Sequence, residues 1–293
     1  MTTIRPRRSA LYMPGSNARA LEKAKTLPAD TLILDLEDAV APDLKVEARD
    51  QVCAAVAGGG YGMRELVIRI NALDTPWGEA DLAAAVAAAP DAILVPKVSS
   101  AEQLAAVGLR LRRLGAAERT RVWAMIETPL AILQAEAIAS AALDVDTRLS
   151  CFVMGTNDLA KDTRARLLPG RTAMLPWLMT ALAAARAHGI DILDGVYNSL
   201  SDETGFRAEC EQGLDCGFDG KTLIHPNQIA VANEIFAPSA EEVERARAII
   251  AAFERPENAG KGAINLDGRM VERLHADMAK RTVALAEAIA ERG

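Results

Sequence analysis

Histidine and cysteine are scarce in this chain of 293 residues, with three of the first and four of the second. Cys53, Cys151, Cys210 and Cys216 show no CxxC spacing and sit in ordinary helix or strand patterns, so reduced thiols in a cytosolic protein are expected. The basic start, MTTIRPRR, is not followed by the apolar run of a signal peptide, and no stretch reaches about 18 uninterrupted apolar residues. No membrane span is therefore expected, and a cytoplasmic location is. Positive charge is also short, since 33 Lys and Arg against 40 Asp and Glu leave a net charge of -7. A general nucleic-acid binder needs a basic face to displace counterions from phosphate, so that class is not expected; a local basic cluster for a phosphorylated cofactor is compatible with the balance. No GxGxxG loop follows the first apolar run, which argues against a doubly wound dinucleotide-binding sheet.

What is there is apolar and repetitive. Half of the chain is hydrophobic, much of it alanine, which favours alanine-rich helices around apolar strands over a β-sandwich. Strand-like runs at 9–14, 31–40, 65–71, 91–98, 121–127, 149–155, 190–197 and 220–226 each precede a helical stretch. Those stretches lie at 17–27, 44–57, 77–89, 100–115, 129–140, 172–189, 201–217 and 227–236, and a polar loop, KDTRARLLPGR, leads into the sixth. Eight strand-then-helix units in strict alternation predict a (β/α)8 TIM barrel over residues 1–236. Residues 237–293 exceed what a barrel needs: a helix opened by Ser239 and Glu242, a hairpin at 260–271 and an amphipathic helix at 272–292. They read as a C-terminal helical extension, a lid on its own barrel or on a neighbour's.

Polar residues recur where these strands end, as at the active rim of a barrel enzyme. In MIETP and MGTNDLA, buried-strand runs end near the carboxylates Glu127 and Asp158, with Gly155 and Thr156 allowing close backbone approach. Two hard oxygen donors leaving one rim suit a Mg2+ ion that keeps positions open for water and substrate. The plainer alternative is that Glu127 caps the helix starting near Pro129 and Asp158 caps or closes a turn.

The ordered blocks RSALYMPGSNARALEKA, LDLEDAVAPDLKVEAR, VIRIN, VPKV, MIETP, MGTNDLA and GKTLIHPNQIAVANEIF resemble the citrate lyase β-subunit-like (CitE-like) acyl-CoA lyases of the HpcH/HpaI aldolase superfamily. The likeness runs from about residue 7 to the end of the chain and includes malyl-CoA, β-methylmalyl-CoA and citramalyl-CoA lyases. It implies a Mg2+-dependent barrel that breaks or forms a carbon-carbon bond beside a CoA thioester, as a homotrimer or homohexamer. By motif, Glu127 and Asp158 would hold the metal, and Arg69 would bind substrate oxygens and stabilise an enolate. Tyr12, Lys23, Asn157, Ile224 and His225 would contact CoA or substrate. Asp35, Glu37 and Asp38 would border the metal and hold its waters, an arrangement that ion pairing of Arg69 with Glu37 or Asp38 explains as well. Lys97 is expected as a partner to these acids and not as a Schiff-base nucleophile, which needs desolvation or a cationic neighbour.

At the C-terminus, GRMVERLHADMAKR resembles the segment that supplies an acid/base carboxylate in malyl-CoA lyases. Glu272 would be that residue, one methylene longer than the Asp those lyases carry, with Asp267 as fallback and a helix-start role as the alternative. Asn17 stands where those lyases often carry Arg. The implied reaction splits a malyl-CoA-like 3-hydroxyacyl-CoA into acetyl-CoA or propionyl-CoA and an α-keto acid such as glyoxylate or pyruvate. Alternatives within the resemblance are a citryl lyase β subunit and a malyl-CoA thioesterase. Outside it stand a CoA-ester-binding protein without chemistry and a CoA-independent pyruvate aldolase, for which only His225 of the three histidines lies at the right rim.

Overall fold

The computed structural model describes residues 4–292. Eight short parallel strands close on one another in sequence order: β1 (Ser9–Pro14), β2 (Thr31–Asp35), β3 (Glu65–Arg69), β4 (Ala92–Val95), β5 (Arg121–Ile126), β6 (Leu149–Met154), β7 (Asp191–Asp194) and β8 (Gly220–Leu223). β8 returns to β1 with Lys221 opposite Ser9, so no edge of the barrel is left open. Helices alternate with the strands: α1 (Ala18–Ala24), α2 (Lys45–Gly58), α3 (Gly78–Ala88), α4 (Ala101–Arg113), α5 (Pro129–Leu133), α6 (Ala135–Ser140), α7 (Thr156–Thr163), α8 (Leu175–Ala187), α9 (Glu203–Cys216) and α10 (Ile229–Ile235).

The strands read as continuous apolar runs because both of their faces are covered. Alternate residues, among them Ala10, Ile33, Val67, Leu94, Trp123, Val153 and Leu193, fill the barrel interior. Their neighbours Leu32, Leu34 and Ile68 are equally buried and, by the two-residue period, turn toward the helices. The amino-terminal end of the barrel is closed by a charge cluster. Arg7 donates to both oxygens of Glu65 at 2.7 Å and to Asp191 at 2.5 Å, and lies 4.9 Å from the centre of the Trp123 ring.

Strand ends and two helices differ from the sequence expectation. β2 stops at Asp35 and not at 40, because the Asp35 carboxylate accepts the backbone N–H groups of Glu37 and Ala39 and turns the chain. TNDLAKDT, of which only the last three residues fall in the expected polar loop, forms α7, and the next helix starts at Leu175 and not at 172. The expected helix at 129–140 divides at Gln134 into α5 and α6.

By compactness the chain divides into two units, Arg7–Asn233 and the part from Glu234 onward together with the residues before Arg7. In the second unit α11 (Ala240–Glu254), opened by a Ser239–Glu242 capping box, packs against α12 (Arg273–Ala290). Between them in sequence, β9 (Ala263–Leu266) and β10 (Arg269–Glu272) form an antiparallel hairpin around Asp267 and Gly268. Both turn residues have positive φ, 52° and 79°, as a tight two-residue hairpin requires. Ala252, Ile264 and Val271, with Ile249, Phe253 and Leu266, make the unit's small core. Among the described residues no helix is long and apolar enough to cross a membrane.

Candidate active site

The register of the strands places the polar residues at one level of the rim. Pro14 pairs with Asp35, Asp35 with Arg69, and Ile126 with Met154. Glu127 is therefore the first residue beyond β5, and Asp158 stands in the first turn of α7, four residues beyond β6. Neither is a helix cap. Thr128 caps α5, its hydroxyl accepting the Ala131 N–H at 3.0 Å, and Gly155 occupies the cap position of α7. The capping alternative for these two carboxylates is thereby corrected.

A cavity of about 290 Å³ opens at this rim, lined among others by Tyr12, Asp35, Asp38, Arg69, Glu127, Asn157, Asp158 and Ile224. Met125, Met154, Thr156, Val196 and Thr222 also line it, and sequence reasoning did not single out these five as substrate contacts. Glu127 is fully buried. Its Oε1 accepts the Lys97 N–H at 2.7 Å, while its Oε2 is buried without a hydrogen-bond partner. Burial pushes its carboxyl up to about 7; Lys97 opposes the rise, and the Asp158 charge adds to it. A residue larger than glycine at 155 is excluded, since a Cβ there would lie 2.3 Å from the Glu127 Cβ.

Across the cavity Arg69 is buried among acids. Its Nε and Nη2 donate to the two oxygens of Asp35, each at 2.6 Å, and its Nη1 donates to Asp38 at 3.2 Å. Glu37 Oε2 lies 2.8 Å from the same Nη1 but out of line of any N–H, so it is charge-paired without being hydrogen-bonded. Burial pushes Glu37 up to about 8 against the opposing charge of Arg69. The chief partner of Arg69 is thus Asp35, where the sequence pointed to Glu37 or Asp38. Both Asp35 oxygens are engaged by Arg69 and by backbone N–H groups. The guanidinium also lies 4.8 Å from the centre of the Tyr12 ring, whose hydroxyl is buried with no partner. Beneath this turn Lys45, buried, donates to the carbonyls of Leu36 and Glu37 and to Asn71 Oδ1 at 2.9, 2.6 and 2.7 Å. Lys45, in the helix after the acidic segment, and Asn71, which closes the VIRIN run, were the sequence signal for that support.

The other expected site residues divide. Asn157 and Asn198 exchange side-chain amide hydrogen bonds at 3.2 and 2.8 Å at the mouth of the cavity. Ile224 is exposed there, its N–H donating to Gln228 Oε1 at 3.0 Å. Lys23, exposed on α1, and His225 do not line the cavity. His225 opens the turn Pro226–Gln228, its Nδ1 accepting the Asn227 N–H at 3.2 Å. Glu272 belongs to the second unit, as the last residue of β10 and the cap position of α12; its N–H donates to His275 Nδ1 at 2.9 Å. Asp267 is exposed at the hairpin turn.

Among the described residues no group of three or more His, Cys, Asp or Glu is placed to hold a metal. The fit to a metal rests on two hard carboxylates, one with a buried oxygen that has no partner, and this is the donor set of an ion that keeps water or substrate in its other positions. Fold and rim together define a class: a (β/α)8 barrel whose cavity, at the carboxyl ends of its strands, is lined by carboxylates and a guanidinium.

The chain belongs to the HpcH/HpaI aldolase/citrate lyase family, a family of enzymes whose pattern residues 8–226 match. It is 52% identical over 285 residues to a (3S)-malyl-CoA thioesterase of Cereibacter sphaeroides, covering 97% of this chain and 96% of the relative. It is 36% identical over 288 residues to the citrate lyase subunit beta of Escherichia coli, covering 97% and 94%. Among solved structures it resembles CitE of Mycobacterium tuberculosis in complex with magnesium, acetoacetate and coenzyme A, with a TM-score of 0.75, 29% identity and coverage of 96% and 98%.

Proposed function

We propose that the chain acts on a malyl-CoA-type thioester, a 3-hydroxyacyl-CoA bearing a carboxylate beside its hydroxyl carbon, with Mg2+ held by Glu127 and Asp158. The observation that carries this is the unpartnered buried Oε2 of Glu127, in a cavity shared with Asp158 and the Arg69 guanidinium. When bound, the ion supplies Lewis-acid polarisation of substrate oxygens. Arg69, fixed by Asp35, offers positive charge to the charge that grows on the thioester oxygen and needs no reorganisation as it does so. Tyr12, Asn157 and Ile224 shape the pocket for the acyl portion, Asp38 and Glu37 border it, and Lys23 and His225 are assigned to the CoA arm.

Two outcomes at this substrate are open to the same residues. In hydrolysis, water adds across the carbonyl-sulfur bond and yields the free hydroxy acid and the CoA thiol. The 52% identity to a malyl-CoA thioesterase over nearly the whole of both chains puts this reading first. In carbon-carbon cleavage a base takes the hydroxyl proton, the carbinol oxygen becomes the carbonyl of the keto acid, and the C2–C3 bond breaks with its electron pair passing into the thioester as an enolate. A proton, assigned to Glu272, then returns to the enolate carbon, giving acetyl-CoA and glyoxylate. The citrate lyase likeness and the fixed charge of Arg69 favour that second reading. Incubating the Mg2+-loaded protein with (3S)-malyl-CoA and resolving products by mass spectrometry separates them: malate with free CoA, or acetyl-CoA with glyoxylate. Malyl-CoA left unconsumed rejects both.

A further inference from the structure

One residue touches both carboxylates assigned to the cation. Lys97 follows β4 and Pro96 with φ +53°, a left-handed backbone that a residue with a Cβ rarely adopts. It is held there by its own N–H, which donates to Glu127 Oε1 at 2.7 Å, and by its carbonyl. The carbonyl accepts the Ser99 hydroxyl at 3.3 Å, and that hydroxyl lies 2.8 Å from the hydroxyl of Thr128, beside Glu127. The ammonium reaches over to Asp158 and stops 3.7 Å from Oδ2, an ion pair too long for a hydrogen bond, with the side chain 46% exposed. Lys161, one turn along α7, lies 3.8 Å from the other Asp158 oxygen but is 76% exposed. Glu127, Glu37, Asp158 and Asp38 are the acids whose charges act on Lys97.

Resting on the metal reading above, we propose that Lys97 is the resident counter-ion of the site. Its ammonium balances Asp158 while no divalent cation is bound and competes with that cation for the same carboxylate. Its backbone N–H fixes which oxygen of Glu127 is left free. Lys97 is thus a positioning residue that sets the metal affinity. A long, flexible stem lets the charge withdraw without disturbing the backbone bond to Glu127, so the two tasks are separable by substitution.

The test is calorimetric titration of Mg2+ and Mn2+ into the full-length protein and its variants. Removing a unit charge about 4 Å from the site should tighten binding by about fivefold or more, so Lys97→Met and Lys97→Gln bind both ions that much better than wild type. Lys97→Arg stays near wild type and Lys161→Met changes less than Lys97→Met. The gap between wild type and Lys97→Met narrows as salt rises, which a purely structural role would not produce. Using two neutral variants keeps poor folding of either from deciding the result. Binding that both leave unchanged or weaken overturns this inference alone. A wild-type protein that takes up neither ion overturns the metal reading and this inference with it.

Discussion

Arg69 is the residue on which geometry and chemistry most plainly converge, and its environment explains why lysine cannot replace it. Its two parallel bonds to Asp35 need the planar fork of a guanidinium, and its third nitrogen serves Asp38 and Glu37. Arg69→Ala should lower turnover by at least ~10²-fold, and Arg69→Lys should recover little of it. Steady-state rates on (3S)-malyl-CoA check both, and a nearly unchanged rate for Arg69→Ala removes the residue from the reaction. Gly155 acts by what it lacks. A Cβ there would meet the Glu127 Cβ at 2.3 Å and its Oε2 at 2.7 Å, so Gly155→Ala must displace the carboxylate. Weaker Mg2+ binding by calorimetry, together with a lowered melting temperature, is the expected result. That Glu127, Asp158 and Arg69 meet at one rim was legible because each stands at or just beyond the end of an apolar strand run, although capping and ion pairing accounted for the same residues. The pairing of Arg69 with Asp35 was not, because a string of three acids does not show which one reaches across.

At the level of elements, the eight strands could be read directly from their apolar runs, while α7 could not. TNDLAKDT is short and polar, and with only Thr156 and Leu159 buried it carries no apolar period that would mark it as a helix. A second feature that pattern alone left unread lies where β7, β8 and α9 meet. Asp194 accepts from Arg171 at 2.7 and 2.8 Å and from Lys221 at 2.8 Å, and Lys221 also donates to Glu209 at 2.7 Å. The backbone carbonyl of Asp194 accepts the hydroxyl of Thr222, which lines the cavity. The buried charges in IDILD and GKTL were the available signal, since charge inside an apolar strand must be paired. Burial works to raise the Asp194 carboxyl, but Lys221 and Arg171 outweigh it and hold it below the usual carboxylate range. Its pairing therefore contributes stability that is complete above about pH 4, the unfolded value, and is lost as pH falls through the lower native value. Asp194→Asn should cost roughly 3–5 kcal/mol at neutral pH by leaving two buried cations short of charge. It should also flatten the acid limb of a denaturation series run from pH 6 downward; an unaltered limb would mean the pair is not formed in solution.

For the whole molecule, the sequence marked where the barrel pattern ends, near Phe236, and a second compact unit begins at Glu234. The lid role read for that unit stays a proposal, because its helices and hairpin carry ordinary capping and turn chemistry. Glu272 and Asp267 both have such structural posts, at the head of α12 and in the hairpin turn. The assignment of Glu272 to proton return is tested by exchange: wild-type protein with Mg2+ and glyoxylate should move deuterium from solvent into the methyl group of acetyl-CoA, and Glu272→Gln should slow this at least ~10²-fold. Equal exchange rates would strike Glu272 from the mechanism. A homotrimer or homohexamer is proposed for the assembly, and light scattering reads its mass.

The pairing of Ile126 with Met154 has a consequence for how such a protein can diversify. One of the two carboxylates proposed as ligands follows the first of these partners directly and the other departs within a single helical turn of the second, so the spacing between them is dictated by the barrel's own hydrogen-bond ladder. Insertions in the surrounding loops can then remodel what the mouth admits without moving that carboxylate pair, leaving substrate choice free to drift while the proposed inorganic half of the chemistry stays put.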